Sequence, residues 1–583
     1  MKLARLLCLA FAFTGALIAA PGADTDPLPS TQTGRFDLVI RGGEVHDGTG
    51  APGRRADVGI AGDTITAVGN LSGARAVRTI DAKGRVVAPG FIDMHSHSDF
   101  SLLVDGRAMS KVYQGVTTEL LGESGSAAPA SGPAREELAQ SLAEYGLTLD
   151  WTTLGEYFAR LERHGASVNI VSTVATGQVR AAVVGFDKRA PASDEMSKME
   201  ALVEGAMRDG AVGVSSGLIY PPNQYASTEE LIALAQVAAR HGGIYVSHIR
   251  NEAGGLLDAL REAIRIGREA KIPVEVLHLK RSSVQLGTAA QKPSIQDAAA
   301  LLESAQGDGV KIFANVYPYA ASQTTLSVRI PDWAREGGRV KMLERLRDAG
   351  TRAKIRDEVR DHLRGGIGGA TADTILFGQT TYEPHRRFQG KRLAEIAAEL
   401  NVEPAEAILE LVDKAEGATS AVYFSMREQD VRYALTLPWT TIGSDGSAVA
   451  PEGILARSHP HPRWYGTFPR VLGRYVREQK ALTLAEALRK MTSLPASRLG
   501  LADRGTIAAG KKADLVVFDA AKILDRANFA RPHRLAEGVQ SLIVNGQVVL
   551  HDGKHTGAKP GRVLRHRSAA ESTARIALTR SPN

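Results

Sequence analysis

The 583-residue sequence predicts an α/β protein: a (β/α)8 TIM-type barrel with a small β-sandwich domain built from both chain ends. Three observations carry that reading. The middle of the chain alternates strand-like apolar runs with helical ones, whereas both ends are β-rich. Histidines and an aspartate stand at the ends of the central strand runs, where barrels of this class keep their active sites.

The ends come first. From Phe36 to about residue 88, "FDLVIRGGEVHDG", "ADVGIAGDTITAVG" and "RTIDAKGRVVAPG" alternate short β patterns with turns. Over residues 499–563, "GTIAAGKKADLVVFD" and "VQSLIVNGQVVLHDGK" do the same, with an Asn-Gly hairpin turn at Asn545-Gly546. One sheet domain assembled from residues 36–88 and 499–563 accounts for both. Between them, residues 89–498 are expected to form the barrel. There "GIYVSHI" precedes "GLLDALREAIRIGREA", in which Leu256, Leu257, Leu260, Ala263, Ile264 and Gly267 mark one face at helical spacing. Eight strand runs end near His95, Glu123, Thr176, Tyr220, His248, His278, Tyr317 and Asp445. The interval from Tyr317 to Asp445 is too long for one repeat, so an insertion is expected at about residues 327–435. It includes the helical segments "VKMLERLRDAG" and "PAEAILELVDKA".

Lys2 and Arg5, the apolar run "LLCLAFAFTGALIAA" and small residues up to Pro21 follow the pattern of a secretory signal over residues 1–23. Export to the periplasm or medium is the expectation, with no membrane association after cleavage. The run is short for a span. Cys8, the sole cysteine, lies inside it, so the mature chain has neither a disulfide nor a thiolate ligand. The formal charge of +7 is dispersed over the chain and does not point to nucleic acid. A local basic excess occurs only in the tail at residues 564–583, which reads as a solvated, flexible end.

The stretch "VVAPGFIDMHSHSDF" ends an apolar run with His95 and His97, which point to the same side of an extended chain. Two imidazoles can seat one metal ion or be two surface histidines. Two nitrogens alone do not close a site. His248 ends "IYVSH", and His278 ends "VEVLH" with Lys280 on the same face. The two histidines are 30 residues apart, about one βαβ unit. Asp445 follows an apolar run in "TTIGSDGS". Four imidazoles and a carboxylate converging at strand ends suit zinc or another borderline divalent ion. Burying them unpaired would cost free energy.

In order along the chain, "PGFIDMHSHSD", "QGVTTELLGESG", "GLIYPP", "YVSHIRNE", "VLHLK", "VYPYAAS", "IGSDGS" and "HPHPRWYGTFPRVL" resemble the N-acyl-D-amino-acid deacylase (D-aminoacylase) family of the amidohydrolase superfamily. The likeness runs from about Phe36 to Gly561. "PGFIDMHSH" alone marks the superfamily; "GTFPRVL" after the aspartate is more specific. The resemblance implies His95 and His97 at one metal position and His248 and His278 at the other, with zinc as cofactor, one or two ions. It implies Asp445 as general acid/base, Lys280 and Arg463 as holders of a substrate carboxylate, and Tyr220 and Tyr317 as pocket residues. A guanidinium binds a carboxylate bidentately; a structural ion pair is the alternative for Arg463.

The sequence also departs from the family. Where D-aminoacylases typically have "GNCG", with a thiolate joining the two metal positions, this chain has Gly122-Glu123-Ser124-Gly125. A serine hydroxyl is a weak zinc ligand. Glu123 is therefore the expected bridging carboxylate, its alternative being a solvent-facing or outer-shell acceptor. Thr176 and Gly177 stand where the family often has "GH", and Gln323 where it has a serine.

The expected activity is metal-dependent hydrolysis of the amide bond of small N-acyl-amino acids, of D configuration by resemblance, by metal-activated water with Asp445 as general acid/base. The rivals are another amidohydrolase (a cyclic-amide hydrolase, dipeptidase or deaminase) and a non-catalytic periplasmic binding protein. Relatives that bridge their metals with a carboxylated lysine are disfavoured, since "AVGVSSGLIY" offers none.

Overall fold

The computed structural model describes residues 35–282, 293–365 and 370–566. The expected leader, residues 1–23, and the tail beyond residue 566 lie outside the described residues. Among the described residues no helix is long and apolar enough to cross a membrane.

Eight parallel strand positions form the barrel wall. They are Phe91–Asp93, Val116–Leu121, Asn169–Ser172 continued by Val174–Ala175, Gly213–Gly217, Ile244–His248, Val274–Val276, Ile312–Val316 and Thr440–Ile442. Each pairs in parallel with its neighbour, and the ring is closed by a parallel bridge between Ser96 and Gly446. These strands are buried along nearly their whole length, polar residues included, so they do not show a strict in–out alternation. The helices between them cover the outside. In Leu256–Ala270 the face of Leu256, Leu260, Ala263, Ile264 and Gly267 is buried as expected, whereas Leu257 lies half-buried at its edge.

His95, Glu123, His278 and Asp445 each stand two or three residues past their strands, on the loops at the strand ends, and two other ends differ in kind. Thr176 opens the helix Thr176–Val183, so the third strand ends at Ala175 after a break at Thr173. Tyr220 lies in the turn beyond Gly217.

Both chain ends share one nine-stranded sheet. Its joint is Val86–Pro89, which pairs antiparallel with Leu515–Phe518 and parallel with Arg35–Val45. The Asn-Gly turn joins Val539–Val544 to Gln547–His551, with φ of +47° at Asn545 and +78° at Gly546, the left-handed pair that a type I′ hairpin needs. Sheet and barrel meet at Phe91. Its ring lies 5.6 Å from Phe468, on the helix Arg463–Arg470, and 6.3 Å from Phe518 of the sheet.

The insertion has a core of its own, built on a three-stranded antiparallel sheet of Ser322–Thr325, Ile375–Thr380 and Thr419–Tyr423. It starts earlier than residue 327, because Ser322–Thr325 is a half-buried polar strand without apolar alternation. It also ends before residue 435: the helix Glu428–Thr436 packs on the barrel strands Ile312–Val316 and Thr440–Ile442. The tail starts fixed rather than free. Leu564 N donates to Ile170 O at 2.7 Å, Arg565 pairs with Glu162, and His566 reaches His241 O at 2.9 Å.

Candidate metal centre and catalytic cavity

A cavity of about 480 Å³ opens at the C-terminal end of the barrel strands. His97, Glu123, Tyr220, His248, His278, Lys280, Asp445 and Arg463 line it, and the insertion adds a neutral polar wall that includes Gln323, Thr324, Gln379 and Ser420. His95 sits behind this surface, 2% exposed, within reach of the same carboxylates. The eighth strand can come this close to the first because Gly443 lacks a side chain: a Cβ there would stand 2.7 Å from that of His95.

The side chains fall into two half-sites joined by Glu123. Its Oε2 is 3.4 Å from His97 Nε2 and 3.7 Å from His95 Nε2, while Oε1 is 3.6 Å from His248 Nδ1. His278 Nε2 faces His248 Nδ1 at 3.2 Å. Asp445 spans the same gap, with Oδ1 3.1 Å from His97 Nε2 and Oδ2 3.9 Å from His278 Nε2. Three overlapping groups have ligand atoms all within 4.8 Å of one another: His95, His97 and Glu123; His95, His278 and Asp445; and His248, Glu252 and His278.

The donor set fits a divalent ion. His95 Nε2 and Glu123 Oε1 are buried and make no hydrogen bond within the protein. Lone pairs left so in an apolar surround are costly, and a cation satisfies them. Imidazole and carboxylate donors are those zinc takes. Backbone strain marks the same place: Ser124, His278 and Asp445 have φ of +62°, +40° and +49°, a region that side-chain-bearing residues rarely adopt.

Glu252, missed from sequence, is central. Its Oε1 lies 2.9 Å from His278 Nδ1 and 2.6 Å from Lys280 Nζ. A carboxylate there favours the proton on Nδ1, with the Nε2 lone pair facing the half-site, whereas Lys280 Nζ, 2.7 Å from the same nitrogen, is a donor and favours the other tautomer. Burial would raise its pKa, but Lys280, His278 and His248 together hold it well below the usual carboxylate range. The available signal was its place four residues after His248 in "YVSHIRNE", on a loop rather than a strand.

Three residues expected to hold or line the substrate stand differently. Lys280 is committed to Glu252, because a buried ammonium needs its counter-charge. Arg463 donates from Nη2 to Asp445 Oδ1 at 2.9 Å and from Nε to the Asp445 main-chain oxygen at 2.7 Å. Nη2 also reaches the main-chain oxygen of Gln323 at 3.3 Å and Nη1 is buried, so a bidentate carboxylate fork is not open. Tyr317 is 1% exposed and lies beneath Arg463, whose guanidinium carbon is 4.6 Å from its ring centroid; it supports the cavity rather than lining it. Tyr220 does line the cavity, its hydroxyl sharing a hydrogen bond with Thr324 at 2.7 Å.

Charge follows from this packing. Burial acts to raise the Asp445 pKa, but Arg463, His95 and His97 outweigh it and hold the carboxyl well below its ordinary value. Burial likewise opposes ionisation of Glu123, and His248 and His95 reverse it, so its pKa also falls well below the ordinary value. Burial and the neighbouring Lys280 lower His278 to about 3, so its imidazole is neutral at working pH. Burial would lower His97 too, but the Asp445 and Glu123 carboxylates raise it.

Comparison with known proteins agrees with this centre. The profile of the Amidohydrolase family matches residues 78–550. The chain is 36% identical to a D-aminoacylase of Alcaligenes xylosoxydans xylosoxydans, over 92% of this chain and 98% of that protein. It is 37% identical to an N-acyl-D-glutamate deacylase of the same organism, over 91% and 97%. The crystal structure of N-acyl-D-glutamate deacylase from Bordetella bronchiseptica, complexed with zinc and a phosphonate mimic of the tetrahedral intermediate, superposes with a TM-score of 0.77. It is 34% identical and covers 91% of this chain and all of that one. The chain belongs to the D-aminoacylase (N-acyl-D-amino-acid deacylase) branch of the amidohydrolase superfamily and is a metal-dependent hydrolase of non-peptide C–N bonds.

Proposed function

We propose that the protein hydrolyses N-acyl-D-amino acids to a carboxylic acid and a free D-amino acid. The observation that carries this reading is the convergence of four imidazoles on Glu123 and Asp445, with buried donor atoms left unsatisfied, in a chain alike to deacylases along nearly its full length. His95 and His97 would hold one ion, His248 and His278 a second, and Glu123 the position between them. When bound, such an ion supplies Lewis acidity, acidifying water and polarising the acyl carbonyl.

The remaining work falls to the chain itself. Asp445, ionised and facing both half-sites, takes a proton from the attacking water and delivers it to the departing amide nitrogen. Arg463 lines the cavity beside Asp445 and is the cation that would face the substrate carboxylate. The wall of Gln323, Thr324, Gln379 and Ser420 carries no formal charge, which favours uncharged substrate side chains over acidic ones. Export rests on the leader-like pattern of residues 1–23.

The test is metal analysis of wild type and Glu123→Ala, followed by hydrolysis of N-acetyl-D- and N-acetyl-L-amino acids, hydantoins and dipeptides. The expected wild type binds zinc and cleaves the D series. Glu123→Ala should lose about one ion per chain and at least tenfold in kcat/KM, as removal of a metal-holding group does. Unchanged metal content and activity would remove Glu123 from its bridging role. Better turnover of hydantoins or dipeptides would replace the deacylase reading.

A further inference from the structure

A buried cluster under the cavity floor touches none of the cavity. Lys111, on the short helix Met109–Val112, is 0% exposed. Its Nζ donates to Asp93 Oδ2 at 2.7 Å, to Ser444 Oγ at 2.8 Å and to the main-chain oxygen of Gly446 at 2.8 Å. Ser96 Oγ lies farther off at 3.2 Å and Glu119 Oε2 at 3.5 Å. An ammonium has three protons. The three nearest acceptors are thus one residue of the first barrel strand and the two residues that flank Asp445.

Asp93 completes the link. Its Oδ1 accepts from the main-chain nitrogens of both His95, at 3.1 Å, and Ser444, at 2.8 Å. Glu119 takes the hydroxyls of Ser96 and Ser98. The ion cluster therefore fastens the segment bearing His95 and His97 to the segment bearing Asp445. Asp445 is held at φ +49°, a conformation its own chain does not favour, so its carboxylate depends on restraints from either side.

We propose that Lys111 is a positioning residue for the hydrolysis: by clamping Ser444 and Gly446 to Asp93 it sets the Asp445 carboxylate against the half-sites. This rests on Asp445 being the proton carrier. A buried charge that served only stability would leave kcat unchanged in the folded, metal-loaded protein.

The experiment uses the full chain loaded with zinc. Lys111→Met keeps the length and apolar stem of the side chain and removes its charge. Metal per chain, kcat and KM are measured on the best N-acetyl-D-amino acid, together with Asp445→Asn and the double variant under single-turnover conditions. The expected result is a fall in kcat of about 100-fold, the scale of a misplaced catalytic group, with KM and metal content within about threefold of wild type. In the Asp445→Asn background the same change should cost less than about threefold, because residues that act through one another are not additive. Independent multiplication of the two losses, a loss explained by missing metal, or an unaltered kcat overturns the proposal. Should Lys111→Met not fold, Ser444→Ala removes one of the three acceptors and leaves the charges balanced. It should lower kcat about tenfold with the same non-additivity, and an unchanged kcat would again overturn the proposal. Full activity of Asp445→Asn would overturn the Asp445 mechanism itself, and this inference with it.

Discussion

Glu252 decides which nitrogen of His278 is available. With Oε1 2.9 Å from Nδ1, it holds the ring in the tautomer that presents Nε2 to His248 and Asp445. Lys280, 2.7 Å from Nδ1, competes for the same nitrogen, and its pairing with Glu252 gives its protons another acceptor. Glu252→Gln is therefore expected to weaken zinc binding 10- to 100-fold, the range seen for lost carboxylate partners of ligating histidines. Chelator competition measures it, and an unchanged affinity would mean that Nδ1 is protonated without help. The histidines and Asp445 were legible because each closes an apolar run, a pattern local to a few residues. Glu252 was harder to read, because it sits on a loop and two of its partners, His278 and Lys280, come from the next strand. Nor could the sequence show that Lys280 and Arg463 would spend their charges on Glu252 and Asp445, since both pairings depend on which strands become neighbours.

Among the elements, Phe91 ties three together. Its ring is fully buried between Phe468 and Phe518, so it belongs at once to the first strand, the helix after the eighth, and the terminal sheet. Phe91→Ala should cost about 3–5 kcal/mol, the usual range for a buried phenylalanine, read as a lowered midpoint in denaturant. It should also loosen the terminal sheet from the barrel, seen as faster amide exchange in Leu515–Phe518. A loss below about 1 kcal/mol, the scale of a surface substitution, would show that the joint repacks. Barrel repeats and both sheet halves were readable from periodicity, which buried strands and amphipathic helices impose on their own residues. The insertion's edges were not, because Ser322–Thr325 is polar and half-buried on both faces. Its side chains serve the cavity wall rather than a core, so apolar alternation never marks it.

Across the whole molecule, stability should vary with pH through Glu275. This carboxyl lies inside the barrel, 2% exposed, bonded to Thr441 Oγ1 at 3.0 Å, with Oε2 unpartnered. Burial raises its pKa to about 7, against the lowering influence of Arg498 and Thr441. The native state therefore holds this proton more tightly than the unfolded chain. Its contribution is complete below about pH 4.5, the ordinary value, and is lost as pH rises through about 7. Glu275→Gln should remove that loss and gain on the order of 2–3 kcal/mol over wild type at pH 8, but little at pH 4.5. Melting both proteins at the two pH values checks it; a difference that does not change with pH would mean that the carboxyl is solvated.

The joint strand Val86–Pro89 has a further consequence, in time. Its antiparallel partner, Leu515–Phe518, is encoded more than 400 residues later. At the usual rate of synthesis that interval is roughly 20 to 90 s. For that long the first half of the sheet exists with one side of Val86–Pro89 unpaired, an open template for any other extended chain. If the chain folds as it is made, the barrel strands through Thr440–Ile442 precede that partner.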